Sequence, residues 1–180
     1  MSNSRLSSLL FGCALLVGCV KTGSVTVSQP VDAKVASYDT VVVAASTETP
    51  ELAKYVSKLQ SSVADGLERD KVFASASAGD SAPEGAVKLR MSVTKTQAGN
   101  KMARTMNMGG DVEVEVECEL VDEQSQTTLA RFVAKGNSAR KSKSSINGFD
   151  TSIADDLDGR AIQAAGKEIV AFLEESAATK

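Results

Sequence analysis

From residue 112 to residue 120 the chain alternates without a break, Val112, Val114, Val116, Cys118 and Leu120 on one parity and Glu113, Glu115, Glu117 and Glu119 on the other. A period of two sends the two sets to opposite faces of a β-strand. Four buried carboxylates would be prohibitive, so the glutamates face water and the apolar residues face a core. The fold therefore contains a sheet with at least one wet strand face. Lys88 and Arg90 on one neighbouring run, or Arg131 and Lys135 on the other, are placed to pair with the acidic row across strands. The row reads as a solvated face rather than a cation site, because side chains pointing the same way from a flat strand do not converge on one ion.

Val87, Leu89, Met91 and Val93, and the run Leu129 to Ala134, read as two further strands. Tyr38 to Ala45, YDTVVVAA, is too apolar for one wet face and reads as a central strand covered on both sides. Thr49 is an N-cap with Pro50 at the first helical position, and Leu52, Val56, Leu59, Val63 and Leu67 then recur at three-to-four spacing. That spacing predicts an amphipathic helix of about 18 residues. Val72 to Ala76 follows as a strand and Ala78 to Gly85 as a loop. Phe149 to Ala177 reads as the last helix, capped by Asp150 or Thr151, with Asp155 and Asp156 in the first turns. Its expected buried stripe is Ile153, Leu157, Ala161, Ala164, Ile169, Phe172 and Leu173. The expected fold is α+β: a single sheet of about five strands, strand-helix-strand then antiparallel meander, with a C-terminal helix packed on one face.

The N-terminus has a different character. Arg5 is followed by Leu6, Leu9, Leu10, Phe11, Ala14, Leu15 and Leu16 with no further charge before Lys21, a signal-peptide layout too short to span a bilayer. Leu16-Val17-Gly18-Cys19 resembles the bacterial lipoprotein box, whose cysteine becomes the lipidated first residue of the mature chain. Cys13 stands too close to Arg5 to leave room for an apolar core. The expected organisation is a signal peptide over 1–18, a lipid anchor and tether over 19–36, and one domain over 37–180. The tether, rich in Ser, Thr, Val and Gly, reaches on the order of 20 Å as a flexible chain. Val20 rather than Asp after the cysteine resembles the sorting signal for the outer membrane, which implies a domain on its periplasmic side. Cys118 is then the only unmodified thiol, so no internal disulfide forms, and its parity makes it an inert core residue.

Chemistry is sparse. The chain has no histidine, which excludes His acid/base work, His metal sites and His-activated nucleophiles. A formal net charge of −3 gives no basic excess for nucleic acid. Ser138-x-x-Lys141, Ser145-x-Asn147 and Lys21-Thr22-Gly23 match the three short motifs of penicillin-recognising serine enzymes, but in the wrong order and in too short a chain. We expect no enzyme and no cofactor. The stretch Gln97 to Gly110, QAGNKMARTMNMGG, joins two strands and carries Lys101, Met102, Arg104, Met106 and Met108, the expected partner-binding residues. The alternative is a Cu(I) site built on the thioethers of Met102, Met106 and Met108. Arg140, Lys141 and Lys143 form a second, basic candidate surface.

Tyr38-Asp-Thr-Val-Val-Val, Gly99-Asn-Lys-x-x-Arg104, Val114-Glu-Val-Glu-Cys-Glu-Leu-Val-Asp122 and Leu129-Ala-Arg-Phe together resemble an uncharacterised family of bacterial envelope lipoproteins, labelled domain of unknown function 4410. Where that family tends to place a glycine after the acidic turn, this chain has Gln124-Ser-Gln126. The strand order also resembles small α/β domains of envelope lipoproteins that activate cell-wall synthases or build secretion pores. Both resemblances imply a membrane-anchored module that binds or assembles with another envelope protein and does not catalyse.

Overall fold

The computed structural model describes residues 23–97, 111–138 and 156–178. These form one mixed six-stranded sheet with two helices on one of its faces. In chain order the elements are β1 (Gly23–Gln29), β2 (Thr40–Thr47), α1 (Ala53–Arg69), β3 (Ser75–Ala78), β4 (Val87–Gln97), β5 (Glu113–Asp122), β6 (Thr127–Asn137) and α2 (Leu157–Ala178). Across the sheet the order is β1-β6-β5-β4-β2-β3, with β2 parallel to both β3 and β4 and every other pair antiparallel.

The strand-helix-strand unit and the β4-β5-β6 meander are present, and the count of strands is corrected from five to six. The extra strand comes from the segment read as tether. Its Ser and Thr content suggests a flexible chain, yet Val25, Thr26 and Val27 are β-branched. Val25 lies opposite Ala134 and Val27 opposite Phe132, so both join the core-facing parity of β6. Ala33–Ser37 then forms a short 3-10 turn, capped by the Asp32 carboxylate and holding Val35 in the core. The slack of the expected tether is largely used up by structure.

The core lies between the sheet and the helices. Val41 and Val43 of β2, Leu89 and Val93 of β4, Val116 and Leu120 of β5, and Phe132 of β6 are at most 1% exposed. They share one parity across the register, the one facing α1 and α2. β2 lies one strand in from the edge rather than at the centre. On its other face Val42 is also buried, beneath the Gly79 connection and beside Lys88 rather than beneath a helix.

Thr49 precedes Pro50–Leu52, a 3-10 turn that leads straight into α1, but its side chain makes no capping bond. α1 ends where Lys71 takes a left-handed backbone, φ 56, and Val72 N–H returns to the Leu67 carbonyl. This redirection puts Phe73 into the core, so β3 starts at Ser75, three residues later than Val72. The caps expected at Asp150 and Thr151, with Ile153 and Asp155, lie outside the described residues. Asp156 accepts a bond from Gly159 N–H at 3.1 Å in the first turn of α2, the work of a cap. The buried stripe of α2 is Leu157, Ala161, Ile162, Ala165, Gly166, Ile169, Val170 and Leu173, with Ala164 turned partly outward. It is rotated from the expected stripe because α2 packs on α1 as well as on the sheet. Gly166 lets Leu59 and Val63 approach, and Gly66 of α1 admits Val170.

Candidate functional site

Both helices cover one face, and no helix among the described residues covers the other face of β4, β5 and β6. The register sets the acidic row of β5 between two basic columns. Glu119 stands opposite Arg90 on β4 and Arg131 on β6, and Glu115 opposite Lys135. Arg131 and Lys135 close ion pairs with Glu119 and Glu115, and Arg90 reaches Glu119 at 3.9 Å. Arg90 and Lys88 both meet Glu123 at 3.1 Å, just past the end of β5. The Arg131 hydrogen bond holds the Glu119 carboxyl below its usual range, the Arg90 hydrogen bond does the same for Glu123, and Glu115 raises Lys135. Each of these three shifts favours the charged form.

Two glutamates of the row are exceptions. Glu113 lies opposite Gln97 and Asn137, and Glu117 opposite Ser92 and Val133, so among the described residues neither faces a basic side chain across the strands. Of the two, Glu117 is exposed, and it lines a hollow of ≈ 220 Å³ with Ser46, Arg90, Ser92, Glu119 and Arg131. That volume is below the ~300–1,000 Å³ of sites that enclose small molecules, and it suits an inserted side chain.

A second polar cluster is structural. Asp122, 6% exposed, accepts bonds from Lys34 Nζ at 3.0 Å, Tyr38 Oη at 2.7 Å and Ser125 Oγ at 2.6 Å. It ties the 3-10 turn to the β5–β6 turn. The Ser125, Tyr38 and Lys34 hydrogen bonds hold its carboxyl well below the ordinary carboxylate range. A folded-state pKa below the unfolded one gives stability that is complete above the unfolded value, about 3.9, and lost as pH falls through the folded one. The urea midpoint of the wild type is therefore expected to drop below about pH 4. Asp122→Asn should start lower at neutral pH and show a shallower acid limb. An unchanged acid limb in the variant would mean that other carboxylates carry it.

Of the residues singled out in the sequence, Cys19, Lys101, Met102, Arg104, Met106, Met108, Arg140, Lys141 and Lys143 lie outside the described residues. The ends that flank 98–110 and 139–155 are described, and both segments leave from the end of the sheet where β4 stops and β5 starts. Ser138 is 1% exposed and its Oγ accepts Val112 N–H at 2.8 Å, so it closes the β5–β6 ladder. Cys118 is buried in the core, and burial pushes its thiol well above the usual value. Among the described residues no three His, Cys, Asp or Glu side chains are grouped to hold a metal ion. No helix among them is long and apolar enough to cross a membrane.

The sequence profile described as Domain of unknown function (DUF4410) matches residues 24–142, from β1 through β6 and beyond. The chain belongs to the DUF4410 family. The match opens inside β1, so this edge strand is part of the DUF4410 domain. No curated protein matches the sequence significantly. Among solved structures, a leucine-to-methionine variant of PelC from Paraburkholderia phytofirmans, solved as a dodecamer, shares 16% identity at a TM-score of 0.50, covering 83% of this chain and 96% of that one. A second PelC dodecamer structure from that organism gives 22% and 0.47, covering 83% and 96%. A minor lipoprotein from Acinetobacter baumannii gives 12% and 0.44, covering 77% and 94%. The first of these likenesses is one of fold, and places the DUF4410 domain in an architecture also found in PelC.

Proposed function

We propose that this protein is a lipoprotein of the bacterial envelope, held by lipid on Cys19 at the periplasmic face of the outer membrane. Its domain acts as a non-catalytic binding or assembly module for another envelope protein. The observation that carries the reading is the sheet face away from the helices, where Glu117, without an ion-pair partner among the described residues, lies in a hollow whose walls, Arg90, Glu119 and Arg131, are already fixed by ion pairs. A surface ordered before contact loses little side-chain freedom on binding, and an unpaired carboxylate at its centre selects a basic side chain on the partner. PelC was solved as a dodecamer, so a second copy of the same chain is one partner the test must recognise. The segment Gly99 to Gly110 is the second proposed contact, through Lys101, Met102, Arg104, Met106 and Met108.

The test is in-cell photo-crosslinking from Ser46, on the rim of the hollow, and from Asn107. A discrete protein adduct at Ser46 that disappears when Glu117→Lys is introduced is the expected result. The reading fails if neither position gives an adduct despite normal expression, or if the Ser46 adduct is indifferent to the charge at residue 117.

A further inference from the structure

We infer that the end of the sheet where β1 begins rests against the lipid bilayer, while the end carrying the β5–β6 turn points away from it. This deepens the lipid-anchor reading and rests on it. Only Val20, Lys21 and Thr22 separate Cys19 from Gly23. Fully stretched, four residue steps reach about 14 Å. β1 supplies no further length, because it is paired with β6 from its first residue, Gly23 opposite Gly136. Gly23 is also hemmed in: a Cβ there would run into the Lys135 carbonyl and the Glu168 side chain.

The strands set the scale. A strand the length of β5 spans about 33 Å, so a leash of about 14 Å fixed at one end of the sheet cannot bring the other end equally near the membrane while the strands stand upright. The near end comprises the β2–α1 connection with Glu48, the last residues of β4 with Thr96, Asp111 ahead of β5, and Asn137 closing β6. The far end holds the turn at Glu84 and Gln124 between β5 and β6. Among the described residues of this end, Glu48 and Asp111 have the wrong sign for attraction to anionic lipid, and the proposal rests on the length of the leash.

The experiment uses the full-length lipidated protein in phosphatidylethanolamine/phosphatidylglycerol vesicles doped with a headgroup-quencher lipid. A fluorophore is attached to single cysteines introduced as Glu48→Cys, Thr96→Cys, Glu84→Cys or Gln124→Cys. The native Cys118 thiol is buried and out of reach of the reagent. Quenching should be severalfold stronger at 48 and 96 than at 84 and 124. Equal quenching at the two ends, or stronger quenching at the far end, overturns the orientation while leaving the anchor intact. A Cys19→Ser protein that stays in the membrane fraction overturns the anchor, and the orientation with it.

Discussion

Gly136→Val is expected to remove a large part of the molecule's stability, at a cost of roughly 3 kcal/mol, the top of the range for overpacked cores. Gly136 lies on β6 where α2 crosses the sheet. A Cβ there would press on the Ala161 carbonyl, stand 2.5 Å from Ala165 N and 2.9 Å from Ala165 Cβ. The first two are backbone atoms of a helix, which cannot swing aside as a side-chain tip would. Relief needs α2 to lift as a body, and with it Ile162, Ile169 and Leu173, all at most 4% exposed. Urea denaturation of Gly136→Val against the wild type measures this. A midpoint within error of the wild type would mean that α2 does not rest on β6 as described.

Phe132→Ala should cost about 3–5 kcal/mol, the usual penalty for emptying a large aromatic site. Phe132 is fully buried, stands between Cys118 of β5 and Val27 of β1, and meets Phe172 of α2 with ring centroids 4.5 Å apart and a tilt of 49°. Its removal strips contacts from two strands and a helix at once. A domain holds only about 5–15 kcal/mol in total, so the loss is a large share of it. Val27→Ala is the matched control: Val27 faces Phe132 but is 45% exposed, so its truncation should shift the midpoint by a small fraction of the Phe132 effect. Comparable losses from the two variants would place the weight on the edge strand instead.

The period-two runs were decisive for the sheet because one face of each is dry: Val112 to Leu120, Val87 to Val93 and Leu129 to Ala134 became β5, β4 and β6. The helix over Leu52 to Leu67 was equally legible, because its apolar residues repeat at helical spacing. β1 was hidden by its composition. Five of its seven residues, Gly23, Ser24, Thr26, Ser28 and Gln29, are ones that also make linkers, and its strand state depends on β6 offering an edge. The rotated stripe of α2 was equally out of reach, since choosing Ala165 over Ala164 depends on where α1 lies. For the candidate site, the acidic row and its basic neighbours could be named from the sequence, but not which glutamates face no base among the described residues. Ser92 and Val133 flank Glu117, and Gln97 and Asn137 flank Glu113, only once the register is known, and the exposure of Glu117 then separates the two.

The proposed leash at β1 also has a mechanical side. β1 is antiparallel to β6, and in the proposed lipidated protein three residues join its first residue to Cys19. A force drawing the β5–β6 turn away from Cys19 runs along the strands, so the β1–β6 hydrogen bonds share the load in shear. A force applied sideways to the same domain would open them one after another from Gly23. Lengthwise pulling therefore loads this edge all at once, while a sideways force would peel it from the β1 corner.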